Sequence, residues 1–341
     1  MSYDATLDRR CRRVAATLGL SFASLRDGRY RVGEEETATV AAAWNRLEAI
    51  GAQRRSAMIV EMDDFPRGKY DLDVGDAETV LRRLPAQSVQ AVLTSPPYYR
   101  ALNYDHPKQI GQEDLPKQYV ARLMRAFEAA RPVLRDDGVM WLLVAGGYVS
   151  NPSTTKIPRA LQGNGGGSYK VPAQHHTDRR RGTPNHGSRL ARAGYPLKTQ
   201  LDTPGMLAAA LTRAGWIVRS TIVWEKTSSV PDVATDRPGR NHETLLLVAK
   251  SARYRYYPQE GEASRSVWRF PQGRSRSGHP APMPLAMARR CVKLSTLPGD
   301  LVLDPFAGSG TSGLAAIEAG RDARLIELNT SYAEIIRRKL G

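Results

Sequence analysis

From residue 69 onward the chain alternates between solid apolar runs and stretches with an apolar residue every third or fourth position. "YDLDVGDAETVLRRLP" reads as a short strand, a turn at Gly75-Asp76 and a helix. "VQAVLTS" and "GVMWLLVAGGY" read as buried strands, with the amphipathic helix "LPKQYVARLMRAFEAARPVL" between them. The alternation resumes with the helix "TPGMLAAALTRAGW" and the strand "IVRSTIVWEK", and continues through "HETLLLVAKS", "MPLAMARRCVKLS", "DLVLDPFAG", "TSGLAAIEAG" and "ARLIEL". Strands and helices at this spacing predict an α/β domain, a mostly parallel twisted sheet with helices on both faces.

Three segments break the pattern. Residues 1–68 carry apolar residues at helical spacing in "RRCRRVAATLGLSF" and "EEETATVAAAWNRLEAIGAQ", with "RYRV" as a short strand, and predict a mostly helical appendage. Residues 151–200 are rich in Gly, Pro, His and Arg without an apolar period, and predict a basic loop or flexible insert. Residues 252–278 mix Arg, Ser and aromatics with weak periodicity. The α/β pattern is thereby divided into 69–150, 201–251 and 279–341.

Charge changes the picture more than composition does. Lys and Arg number 50 against 34 Asp and Glu, a net charge of +16, which points to a polyanionic partner such as nucleic acid. The two cysteines, Cys11 and Cys291, have no metal-ligand spacing and form no disulfide framework. No metal is expected. The N-terminus lacks the apolar core of a signal peptide, and no run approaches the ~18 apolar residues of a membrane span, so a cytoplasmic protein is expected.

Two motifs carry chemistry. "TSPPYY" ends an apolar strand abruptly, because neither Pro96 nor Pro97 can donate to a sheet ladder and each restricts the residue before it. "LVLDPFAGSGTSGLAAIEAGRDARLIELN" has a strand ending at Asp304, a loop with Gly308 and Gly310, and a helix from Thr311. Small residues there admit a ligand close to the backbone, and the helix start supplies free N–H groups. Glu327 follows at a spacing, roughly 20 residues, at which a carboxylate can accept ribose hydroxyls. The loop lacks the dinucleotide fingerprint and the P-loop Lys, so neither NAD nor ATP is favoured.

"DPFAGSGT" and "LIELN" downstream of "SPPY" resemble the S-adenosylmethionine-dependent DNA amino-methyltransferases over roughly residues 70–341, with the motif order of the β group. The resemblance implies a Rossmann-like methyltransferase fold with S-adenosyl-L-methionine as cofactor and double-stranded DNA as partner. It implies that Asp304, Pro305, Phe306, Gly308, Ser309, Gly310 and Thr311 surround the methionine part of the cofactor. Glu327, with Leu328 and Asn329, would hold the ribose. Asp76 would stand near the adenine or amino group, Thr94 would also bind the cofactor, and "HPAPMPLAMARR" would close over the methionine end.

On the same resemblance Ser95, Pro96, Pro97 and Tyr98 are catalytic. An exocyclic amino group is a poor nucleophile, and acceptors placed at its N–H bonds favour a more pyramidal nitrogen. The Pro96 carbonyl, held by Pro97, and the Ser95 hydroxyl would be those acceptors, and Tyr98 a platform for the extruded base. Ser in place of Asp at the first position favours cytosine N4, with adenine N6 on the same scaffold as the alternative. DNA contacts are expected from Tyr99, Arg100, His242, Arg253, Arg255, Arg269, Arg274 and Arg276, with 252–278 as the target-recognition segment. A homodimer and a companion restriction endonuclease are left open by the resemblance.

Overall fold

The computed structural model describes residues 66–104, 106–149, 186–228, 234–259, 261–272 and 283–341, with residues 11–12, 15, 20–24, 30–32, 34–37 and 43 of the leading segment. The chain divides into two compact units, Met1–Phe65 and Pro66–Gly341. In the first, β1 (Phe22–Ser24), β2 (Tyr30–Val32) and β3 (Glu35–Thr37) form an antiparallel sheet. Its Val32 is buried with Cys11, Ala15 and Ala43. The strand expected at "RYRV" is β2, where the period-two pattern of Tyr30-Arg31-Val32 turns one face of a small sheet inward. Residues 11, 12, 15 and 43 are helical, and most of the segment expected to be helical lies outside the described residues.

In the second unit β4 (Tyr70–Val74), α1 (Ala77–Leu81), β5 (Val89–Thr94), α2 (Pro116–Ala130) and β6 (Leu134–Val144) follow in order. Next come β7 (Gly147–Tyr148), α3 (His186–Arg192), β8 (Gln200–Leu201), α4 (Thr203–Arg213), β9 (Ile217–Lys226) and β10 (His242–Ala249). The chain ends with β11 (Val267–Phe270), α5 (Leu285–Ser295), β12 (Leu301–Asp304), α6 (Thr311–Glu318), β13 (Asp322–Glu327) and α7 (Thr330–Leu340). Among the described residues eight strands make one sheet in the order β11-β9-β10-β6-β5-β12-β13-β4. Within it β10 alone runs against its neighbours.

Alternate residues of β6 enter different cores. Val139, Trp141 and Leu143 pack with α5, α6 and α7, whereas Met140, Leu142 and Val144 pack with α1, α2 and α4. The sheet is therefore covered on both faces, which is why its central strands read as continuous apolar runs. From β5 the chain crosses to β6 on one side, and from β12 it crosses to β13 on the other. A crevice opens where the connections diverge, at the C-terminal ends of β5 and β12. Both motifs lie there.

Two segments expected to lack regular structure contain some. Within 151–200, residues 186–192 are helical and Gln200–Leu201 pairs with Gly147–Tyr148, because Leu190, Leu201 and Val149 share a small buried cluster. Within 252–278, Val267–Phe270 joins the sheet beside β9, driven by the burial of Trp268 and Phe270.

Candidate active site

The loop after β12 is organised by two buried carboxyl groups. Asp304 accepts the Phe306 N–H at 3.0 Å with one oxygen and the Ser312 hydroxyl with the other. Burial pushes its pKa up to about 6, against the opposing pull of the Ser312 and Thr94 hydroxyls and the Phe306 N–H. Glu327, at the end of β13, accepts the Gly308 N–H at 2.7 Å and the Asn329 N–H at 2.8 Å. Burial raises it to about 7, and these N–H groups moderate the rise.

Gly308 and Gly310 have φ of +52° and +72°, so the loop depends on residues without a side chain. From α7, Lys339 donates to the Ser309 carbonyl and the Thr311 hydroxyl, each at 3.1 Å. Asp76 caps α1, accepting the Thr79 N–H at 3.0 Å.

The other wall is the segment after β5. The Tyr119 hydroxyl donates to the Pro97 carbonyl at 2.9 Å, and the Arg100 N–H donates to the Gly111 carbonyl at 2.7 Å. Gly111 has φ +103°, and a Cβ there would stand 2.9 Å from the Tyr98 carbonyl oxygen. The turn is thus braced from beneath and from the side. Its Tyr98 hydroxyl donates to Glu243 at 2.6 Å, and the Ser95 hydroxyl donates to Tyr98 at 3.3 Å.

One cleft of about 1160 Å³, counting its open mouth, joins these walls. Ser95, Pro96, Pro97 and Tyr98 line one side, while Asp76, Asp304, Pro305, Phe306, Gly308, Ser309, Thr311, Glu327, Leu328 and Asn329 line the other. Thr94 and Gly310 are buried behind it. Met283 also lines the cleft, whereas residues 279–282 of the expected closing segment lie outside the described residues.

The residues expected to touch DNA are dispersed. Tyr99 packs on Tyr119, ring centroids 5.5 Å apart, and its hydroxyl donates to the Asp114 carbonyl. Arg100 donates to the Glu113 carbonyl at 3.0 Å and so ties the same turn. Arg255 bridges Asp137 at 3.1 Å and Asp300 at 2.9 Å, at the N-terminal ends of β6 and β12. Arg253, exposed, follows Ser251, whose hydroxyl donates to the Asp136 carbonyl. Arg253 and Arg255 therefore sit at the sheet edge opposite the cleft. Arg255 is thus the structural partner of two acids, while Arg253 stays exposed.

Arg269 and His242 lie on the cleft side. Arg269 pairs with Glu225 at 2.9 Å, and His242 is exposed across the ladder from Glu225. Arg274 and Arg276 lie outside the described residues.

Two cleft residues had not been expected. Tyr104 and Tyr332 meet edge to face across it, with ring centroids 6.0 Å apart. Glu243 and Lys226 stand behind Tyr98, 2.6 Å apart. Glu243 was legible only as the neighbour of His242 in "NHE", since nothing local in sequence links β10 to the turn after β5. Among the described residues there is no metal-binding cluster and no helix long and apolar enough to cross a membrane.

The fold is that of the Rossmann-like methyltransferases. PvuII DNA methyltransferase (cytosine-N4-specific) superposes with a TM-score of 0.57 at 17% identity, covering 81% of this chain and 88% of its own. TTHA0409 from Thermus thermophilus, solved with S-adenosyl-L-methionine, gives 0.52 at 22% identity, covering 80% and 94%. Residues 89–338 match the family described as DNA methylase. The chain belongs to this family, the S-adenosylmethionine-dependent DNA amino-methyltransferases. The Type II methyltransferase M.Cfr9I of Citrobacter freundii is 37% identical over 280 residues, which are 78% of this chain and 86% of that protein.

The cleft suits the cofactor of that family. A sulfonium, an ammonium and a ribose diol all seek acceptors, and Asp76, Asp304 and Glu327 offer carboxyl groups beside the apolar Met283 and Phe306.

Proposed function

We propose that this chain is a site-specific DNA methyltransferase that moves a methyl group to the exocyclic N4 of cytosine in duplex DNA, with the target base taken out of the helix. The observation that carries the reading is the shared cleft, with the Ser95 turn on one wall and the Asp304–Glu327 loop on the other. When bound, S-adenosyl-L-methionine supplies an electrophilic methyl on a sulfonium. Glu327 would accept the ribose hydroxyls and Asp76 would stand at the adenine or amino end, while Asp304 fixes the loop through Phe306 and Ser312.

Ser95 and the Pro96 carbonyl hold the amino group by its N–H bonds and aim its nitrogen at the methyl. Holding two reactants in line is itself a large part of such catalysis. No protein nucleophile takes part. Cys291 lies in the core with its thiol pushed up by burial, so it is no candidate for the covalent route to a ring carbon. The half-buried Tyr98 ring offers the extruded base a surface. Arg269 and His242 contact the DNA beside the cleft, joined by Arg274 and Arg276. Residues 1–68 act as an appendage to the catalytic domain, and the basic segment 151–200 tracks phosphate.

Cytosine rests on Ser95 at the first position of the tetrapeptide. The deciding experiment is mass spectrometry of nucleosides from DNA methylated by the purified protein, which should contain N4-methylcytosine. N6-methyladenine would replace cytosine with adenine as the target. Methyl transfer to RNA but not to duplex DNA would overturn the substrate.

A further inference from the structure

We infer that Glu243 sets the direction of a hydrogen-bond chain ending at Ser95, so that the Ser95 hydroxyl meets the target base as an acceptor and selects an amino group over a carbonyl. This rests on the function proposed above.

The chain has four members. Lys226 lies 2.6 Å from one oxygen of Glu243, and the two side chains are only 15% and 10% exposed. The Tyr98 hydroxyl lies 2.6 Å from the other oxygen, and the Ser95 hydroxyl 3.3 Å from Tyr98. These residues come from the end of β9, the start of β10 and the turn after β5, which the reversed strand β10 brings to one edge of the sheet.

Their chemistry leaves one direction. An ammonium only donates, and a carboxylate paired with it only accepts. Tyr98 must therefore spend its proton on Glu243, in a short charge-assisted bond. The phenol then turns lone pairs towards Ser95, and Ser95 spends its own proton on Tyr98. What Ser95 has left for a ligand is a pair of acceptor sites. An amino N–H fits them, whereas a carbonyl oxygen would meet lone pair against lone pair. Such a device rejects the wrong ligand by repulsion as much as it attracts the right one.

Glu243 does not reach the base. It is a positioning residue, acting through Tyr98, and its buried ion pair with Lys226 keeps it an acceptor. A Gln at this position keeps shape and volume but can donate, so the chain could run backwards and leave Ser95 presenting its hydrogen.

The test measures transfer of labelled methyl to duplex DNA by the wild type, E243Q, Y98F and E243Q/Y98F, with S-adenosylhomocysteine affinity measured on each. E243Q should lower kcat about tenfold or more while leaving S-adenosylhomocysteine affinity within about twofold. Y98F, which removes only a hydroxyl, should do the same, and keeps the inference testable if E243Q does not fold. The double variant should be no slower than the slower single one, because both changes cut one chain; additive losses would mark a merely structural ion pair.

A second readout uses duplexes carrying the mapped site with the target base replaced by its deaminated counterpart, uracil for cytosine or hypoxanthine for adenine. The wild type should bind these more weakly by about tenfold, and E243Q or Y98F should narrow the gap to about threefold or less. An active wild type with E243Q or Y98F within about twofold in kcat, or with unchanged discrimination, overturns the inference alone. A wild type that methylates no DNA overturns the proposed function and this inference with it.

Discussion

The Glu327 carboxylate and the Gly308 N–H are joined by a 2.7 Å hydrogen bond across the turn from β13 back to the glycine loop. The same carboxylate holds the Asn329 N–H at 2.8 Å, so one buried acid fixes the loop on one side and the start of α7 on the other. An acid raised to about 7 by burial is poised to respond to a ligand near neutral pH.

The first prediction concerns pH. In the proposed site ribose hydroxyls would donate to the ionised Glu327 carboxylate, so ligand binding should favour the charged form. S-adenosylhomocysteine affinity should rise about five- to tenfold between roughly pH 6 and 8 and then level off. Titration calorimetry across that range checks it, and Glu327→Gln should flatten the profile. The stability of the unliganded protein should move the other way. A carboxyl whose pKa is raised on folding binds more protons folded than unfolded, so stability falls as pH rises from the ordinary carboxylate range to about 7. Asp304, raised to about 6, adds to the lower part of that window.

Ser95 provides the second. Its hydroxyl lines the cleft and bonds to Tyr98, and it takes no part in the glycine loop. Ser95→Ala should therefore lower methyl transfer by about a hundredfold while leaving S-adenosylhomocysteine affinity within about twofold. Single-turnover transfer and calorimetry on the same preparation check this. Equal losses in both would move Ser95 to the cofactor side of the cleft.

The glycine loop and the proline turn were legible because each is a local device. Asp304, Gly308, Gly310 and Glu327 sit within one strand-loop-helix-strand unit, whose spacing fixes their geometry. Ser95 to Tyr98 are consecutive, and two prolines leave the backbone little choice. The chain behind Tyr98 was not legible, since Lys226 and Glu243 reach it only through the pairing of β9, β10 and β6. The partners of Arg255 were hidden for the same reason. Arg counts report charge, whereas Arg255 is committed to Asp137 and Asp300, acids that are distant in sequence. The short strands at 22–24, 35–37 and 267–270 escaped a reading tuned to helical spacing, because three or four residues carry too little period to detect, whereas "RYRV" read as a strand.

The third prediction follows from Arg255. Arg255→Met should leave DNA affinity and its salt dependence unchanged, because the side chain is held at the edge opposite the cleft. It should lower stability by about 1–3 kcal/mol, since Asp300 and Asp137 lose a partner in a partly buried site. Denaturant unfolding and DNA binding at two salt concentrations separate the outcomes. A weaker salt slope with unchanged stability would return Arg255 to the DNA interface.

The last prediction compares two glycines. Gly310 and Gly299 both adopt left-handed backbone, with φ of +72° and +82°, so an alanine at either costs about 1–2 kcal/mol in conformation. Their surroundings differ. A Cβ at Gly299 meets nothing within 4 Å, whereas one at Gly310 stands 3.2 Å from Ile336 on α7. Gly310 also caps α6 between Ser309 and Thr311, the two residues that Lys339 clamps from α7. Gly299→Ala should therefore lower stability and spare S-adenosylhomocysteine binding, whereas Gly310→Ala should lower both, with affinity falling about tenfold or more. Unfolding curves and calorimetry on the pair supply the comparison. If both variants bind equally well, the loop tolerates displacement by α7 and does not need its left-handed residue to hold the cofactor.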